Sequence, residues 1–152
     1  MQQYTIYLGA DHRGYQRKNE LKALLENCHP GMVQVVDLSE ATPAELDDYN
    51  DPAIAVGKKV REDEHAVGVL LCASAHGVTM QANRLKGVRA VNLTSTESAR
   101  LARTEDWANV ACLSAEQLTA EEMESIVKVF CHTPYGSEER YERRAKRLDE
   151  EV

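Results

Sequence analysis

The feature that most constrains this chain is an alternation. Short apolar runs of strand-like composition take turns with longer segments of helical periodicity along the 152 residues. Residues 67–72 form a continuous apolar run, as expected of a strand covered on both faces. Further strands are predicted over 5–8, 33–38, 88–93 and 110–113. Helices are predicted over 15–28, 52–61, 77–85, 95–103 and 119–131, with a last charged helix over 137–150. Leu21, Leu24 and Leu25 fall at helical spacing in the first of these. Thr119 followed three residues later by Glu122 is a capping-box pattern, and Met123, Ile126, Val127 and Phe130 would be the core face behind it. Pro134 and Gly136 break the chain before the last helix. Strands alternating with helices in this order predict an α/β fold, a parallel sheet with helices on both faces. Such sheets bind ligands beyond the carboxyl ends of their strands, which directs the search to the segments that follow strands one, two, three and five.

The length suits one domain over residues 1–152, and a chain of this size hides roughly 70% of its unfolded surface. Eighteen basic and 25 acidic side chains give a formal charge of −7, which disfavours generic nucleic-acid binding. A phosphate ligand must therefore meet a local basic cluster. The longest mostly apolar run, 66–75, is far too short to span a bilayer, and residues 1–3 do not open a secretory leader. Cys28, Cys72, Cys112 and Cys131 form no CxxC pair, so free thiols in a reduced, cytoplasmic setting are expected.

Two segments can carry chemistry. Gly9-Ala10-Asp11-His12-Arg13-Gly14 follows the first strand. Asp11 and His12 there can orient a hydroxyl and move a proton, or Asp11 can simply cap the next helix. Cys72-Ala73-Ser74-Ala75-His76-Gly77 follows the third strand and leads into a helix. Its backbone N–H groups can face an anion, and the helix dipole favours a thiolate at Cys72. The plainer reading of Cys72 is a buried residue that finishes an apolar strand. Ser74 offers a hydroxyl; His76 offers an imidazole or is an exposed loop residue.

Taken with Asp48-Tyr49-Asn50-Asp51, the run from Cys72 to Asn83, and Gly87-Val88-Arg89-Ala90, these segments resemble the ribose-5-phosphate isomerase B / galactose-6-phosphate isomerase family. The likeness continues through Ser98-Ala99-Arg100-Leu101-Ala102-Arg103, Ala108-Asn109-Val110 and Thr133-Pro134-Tyr135. It covers nearly the whole chain in order. Each motif alone is nonspecific; the set is specific.

The resemblance implies an aldose–ketose isomerase acting on a pentose or hexose phosphate through a cis-enediolate, with no metal or organic cofactor. Cys72 matches the proton-transfer base, and Ser74 the hydroxyl beside the enediolate. The loop that includes Ala73, His76 and Gly77 matches the segment whose N–H groups hold the negative oxygen. Asp11, His12 and Tyr49 match residues that contact the sugar. Arg140 and Arg144 match phosphate-gripping arginines, and their i, i+4 spacing puts both on one helix face. Without the family pattern, the same arginines read as a solvated face partnered by Glu138, Glu139 and Glu142. The resemblance also implies a homodimer or dimer of dimers, each pocket completed by a neighbouring subunit on which helix 137–150 docks. The implied sheet is five-stranded and flavodoxin-like, in the order 2-1-3-4-5 within a three-layer sandwich.

The departures from the family pattern share a direction. Glu105 stands where the family has its ring-opening histidine, Asp106 where it has asparagine, and Glu116 where it has a phosphate-binding arginine. Each becomes a carboxylate that repels a dianionic phosphate or takes up a proton. Glu105 can still serve as the acid or base of ring opening if its pKa is raised. Glu105 and Asp106 can also bind extra sugar hydroxyls or pair with arginines. Ala73 and Ala75 replace glycines, and Val78 stands where some members place a glutamate base. Two functions fit this set: an active isomerase with altered substrate contacts, and a sugar-phosphate-binding protein without turnover. A flavodoxin-like nucleotide module fits less well, since the first strand is followed by no glycine-rich phosphate loop.

Overall fold

A computed structural model describes residues 4–28, 31, 33–39 and 46–150; residues 1–3, on which the expectation of no leader rests, lie outside the described residues. The elements run β1 (Tyr4–Ala10), α1 (Tyr15–Cys28), β2 (Val33–Asp37), α2 (Asn50–Val60), β3 (Ala66–Cys72), α3 (His76–Ala82), β4 (Ala90–Asn92), α4 (Thr96–Asp106), β5 (Val110–Ser114), α5 (Ala120–His132) and α6 (Glu139–Leu148). All strand pairs are parallel. Every residue of β3 is buried, as its unbroken apolar run requires.

The sheet order is β2-β1-β3-β5-β4, which corrects the expected 2-1-3-4-5 at its outer end. The cause is burial. β5 reads Val-Ala-Cys-Leu-Ser and is buried throughout, so it belongs inside the sheet beside β3. β4 is three residues long, with Val91 and Asn92 only half-buried, and it takes the edge. Its predicted span of 88–93 shrinks because Asn83 closes the turn before it. The Asn83 side chain accepts from the Ala90 N–H at 2.7 Å and donates to the Ala90 carbonyl at 2.8 Å. The same turn ends α3 at Ala82, three residues before its expected end.

Two apolar cores flank the sheet. One gathers Leu21, Leu71, Leu93, Ala99, Leu113, Met123, Ile126 and Phe130 under α1, α4 and α5. The other gathers Val56, Leu70, Cys72, Val78, Val110 and Cys112 under α2 and α3. The capping box foreseen for α5 is formed: Thr119 Oγ1 accepts from the Glu122 N–H at 3.2 Å and Glu122 Oε2 accepts from the Thr119 N–H at 3.0 Å. Its four named core residues are all buried. No helix among the described residues is long and apolar enough to cross a membrane.

Candidate active site

Parallel strands bring the segments after β1, β3 and β5 together at the carboxyl edge of the sheet, because these strands are direct neighbours. Gly14 sets how close the first two segments come. A Cβ at Gly14 would lie 2.8 Å from the Leu71 carbonyl oxygen, so only glycine lets the start of α1 rest on β3 one residue before Cys72.

Asp11 is buried and closes the turn before α1. Its Oδ1 accepts from the N–H groups of Arg13 and Gly14, both at 3.0 Å. These bonds fix the turn that leads into α1 at Tyr15. His12 faces Asp47: Asp47 Oδ1 accepts from the His12 backbone N–H at 2.8 Å and lies 2.6 Å from His12 Nδ1. Nothing in the sequence singles out Asp47. One of a run of two aspartates before Tyr49, it carries no mark that separates it from Asp48.

Cys72 closes β3 and is only 4% exposed. Its backbone is tied to the segment after β5: the Ala115 N–H donates to the Cys72 carbonyl at 2.9 Å, and the Ser114 hydroxyl and Glu116 N–H donate to the Ala73 carbonyl at 2.6 and 3.2 Å. Ser74 is partly exposed, and its Oγ accepts from the His76 N–H at 3.3 Å; His76 itself is exposed. Of the two alanines that replace family glycines, Ala75 has a left-handed backbone, φ 68°, at the start of α3; Ala73 does not. The Tyr49 ring lies flat against Gly77, where a Cβ would come within 2.6 Å of the ring carbons. Tyr49 is thereby fixed between the start of α2 and the start of α3. A concavity of about 200 Å³ opens near the start of α2, lined by Ser39, Asp47, Asp48 and Asp51 among others.

Glu116 stands on the segment after β5 and forms an ion pair with Arg13, across the end of β3. Both side chains are more than half exposed. Cys112 lies on β5 in the same core as Cys72, and burial pushes its thiol up to about 12, with the Thr79 hydroxyl bond opposing and Cys72 adding to the rise.

The other expected site residues lie elsewhere. α4 runs away from the carboxyl edge, so Glu105 and Asp106, exposed in its last turn, fall at the opposite, amino edge. α6 lies there too. The segment before it donates from the Gly136 N–H to the Thr104 carbonyl at 2.9 Å, and Asp149 just after it pairs at 2.9 Å with Arg89, which precedes β4. Arg140 and Arg144 are exposed on α6. Arg140 pairs with Glu138 at 2.8 Å, whereas Glu142 pairs with Lys146; Arg144 has no ion-pair partner among the described residues. Thus Asp11, His12, Tyr49, Cys72, Ser74 and Gly77 gather at one edge of the sheet, while Glu105, Asp106, Arg140 and Arg144 gather at the other.

Comparison with known families decides where this arrangement belongs. The profile of the family described as Ribose/Galactose Isomerase matches residues 6–148. The chain belongs to the ribose/galactose isomerase family. Within the family, a probable ribose-5-phosphate isomerase B of Mycoplasma pneumoniae is 35% identical over 133 residues, covering 87% of this chain and 85% of its relative. A galactose-6-phosphate isomerase subunit of Streptococcus pyogenes is 32% identical, covering 86% and 88%. The ribose-5-phosphate isomerase B of Mycoplasma genitalium, solved with bound ribulose-5-phosphate, superposes with a TM-score of 0.88 at 33% identity, over 98% of this chain and 96% of that one.

Proposed function

We propose that this member of the ribose/galactose isomerase family is an aldose–ketose isomerase that acts on a pentose or hexose phosphate, with Cys72 as the proton-transfer base. The observation that carries the reading is the position of Cys72. It ends a strand buried throughout, between the His12 segment on one side and the Ser114 segment on the other. A thiol shielded from water suits a proton that must return to the same substrate. The relative solved with ribulose-5-phosphate supports a five-carbon sugar phosphate as the first substrate to test.

In the proposed reaction the Cys72 thiolate removes the proton from the carbon beside the aldose carbonyl. The electron pair moves into the new carbon–carbon double bond, and the carbonyl oxygen becomes the negative oxygen of a cis-enediolate. Ser74 and the N–H groups of the Ala73–Gly77 loop stabilise that oxygen. The Cys72 thiol then returns its proton to the former carbonyl carbon, the proton of the neighbouring hydroxyl passes to the negative oxygen, and the oxygen that gave it up becomes the ketone. His12 and Tyr49 hold the sugar.

Charge supports a shared site. The carboxyl-edge half carries Asp11, Asp47, Asp48 and Asp51, and its nearest arginine, Arg13, is already paired with Glu116. A phosphate needs cations from elsewhere. Arg140 and Arg144 lie on the far edge of their own chain, so a second copy, docking α6 against the carboxyl edge, would supply them, with Glu105 and Asp106 reaching the sugar.

The test is proton–deuterium exchange beside the carbonyl, followed by NMR in D₂O over a panel of pentose and hexose phosphates. Exchange with the parent protein and its loss in Cys72→Ala are expected. No exchange with any sugar would leave a sugar-phosphate-binding protein without turnover as the function.

A further inference from the structure

We infer that Asp47 is a positioning residue that holds His12 in a single tautomer and aims its outer nitrogen into the site. The inference rests on the isomerase reading for its kinetic consequence only; the tautomer itself is a property of the protein alone.

Two donors of one residue converge on one oxygen. The His12 backbone N–H donates to Asp47 Oδ1 at 2.8 Å, and His12 Nδ1 lies 2.6 Å from the same atom. An ionised carboxylate only accepts, so the hydrogen between them belongs to Nδ1. The neutral ring is then left with its lone pair on Nε2, free to accept from a sugar hydroxyl or take up a proton. His12 and Asp47 side chains are 28% and 22% exposed, so the pair is partly shielded from competing water.

Asp11, although adjacent in sequence, does not fill this role. Its Oδ1 is spent on the N–H groups of Arg13 and Gly14, and so fixes the backbone on the far side of His12. The two aspartates divide the work: Asp11 sets the main chain and Asp47 sets the ring. Asp11, His12 and Asp47 also place ligand-type atoms within 4.8 Å of one another. The 2.6 Å contact leaves no room for a cation between His12 Nδ1 and Asp47 Oδ1 themselves.

The backbone bond makes the proposal testable with a conservative variant. In Asp47→Asn, the amide oxygen must face the His12 N–H, because the amide nitrogen would meet donor with donor. The same oxygen then faces Nδ1. Asp47→Asn therefore retains the tautomer, whereas Asp47→Ala releases it.

The experiment uses the full chain labelled with ¹⁵N-histidine, with the His12 signals assigned by their loss in His12→Gln. Long-range proton–nitrogen spectra are taken at a pH where the ring is neutral, with EDTA present. The expected pattern is a hydrogen on Nδ1 and a bare Nε2 in the parent and in Asp47→Asn. Asp47→Ala should move His12 toward the Nε2–H form that free side chains prefer. On the sugar phosphate that shows exchange, kcat of Asp47→Ala should fall about tenfold or more with KM little changed, and Asp47→Asn should recover most of it. A parent ring with its hydrogen on Nε2, a pattern that depends on added metal, or an unchanged kcat in Asp47→Ala would each overturn the proposal. Absence of turnover with every sugar would instead count against the isomerase reading, and the spectra would still decide the role of Asp47.

Discussion

At the scale of single residues, the candidate site is held by a few atoms under constraint. Ala75 is the plainest case. Its φ of 68° is a conformation that costs an alanine about 1–2 kcal/mol, part of which a glycine would return as chain entropy in the unfolded state. Ala75→Gly is expected to stabilise the protein by about 1 kcal/mol and to raise the thermal midpoint by about 2–4 °C, read by circular dichroism. A fall in the midpoint would show that the Ala75 methyl contributes more to its core than its backbone costs. This strain was partly legible in the sequence, because Ala73 and Ala75 both stand where the family has glycine. Which of them is strained depends on the turn itself, which residue type does not specify. Asp47 was not legible. Its partner is 35 residues away in sequence, and only the packing of α2 beside β1 brings them together.

At the scale of elements, periodicity located each strand and helix found among the described residues, and apolar continuity marked β3 as covered on both faces. The expected order of β4 and β5 belongs to the flavodoxin-like pattern, and burial reverses it here. Val110-Ala111-Cys112-Leu113 is uninterrupted, whereas the earlier run contains Arg89 and Asn92. The central position of β5 has a chemical result. Burial pushes the thiols of Cys112 on β5 and Cys131 on α5 up to about 12, from an ordinary 9.0. The native chain therefore keeps protons that the unfolded chain releases. Stability linked to these thiols is intact below about pH 9 and is lost as the pH rises toward 12, by about 1.4 kcal/mol per pH unit for each thiol at most. Urea unfolding at about pH 8 and about pH 10 should show this loss. It should be smaller in the double variant Cys112→Ala/Cys131→Ala; equal losses in both proteins would assign the alkaline sensitivity to other groups.

At the scale of the whole molecule, the family resemblance named residues that the fold then separated between two edges of one sheet. No spacing in the sequence reveals that separation, since Glu105 and Cys72 belong to different crossovers whose directions only the topology fixes. If two copies complete each other's sites, defects in opposite halves should compensate. Cys72→Ala and Arg140→Ala/Arg144→Ala, each inactive alone, should recover about a quarter of parental activity when unfolded and refolded as an equal mixture, because half the dimers are mixed and each holds one intact site. No recovery, together with a monomer by light scattering, would return all of the chemistry to a single chain.

The close approach at Gly14 bears on how such a protein changes its substrate. The segment that holds His12 rests at Gly14 on Leu71, one residue before Cys72, with no room there for a side chain. The spacing of the two candidate loops is thus set at that contact, like the gap between the jaws of a gauge. Variants selected for another sugar should carry their changes around the rim, at positions such as Arg13, Ser39, Asp48 and Glu116, and leave that gap alone.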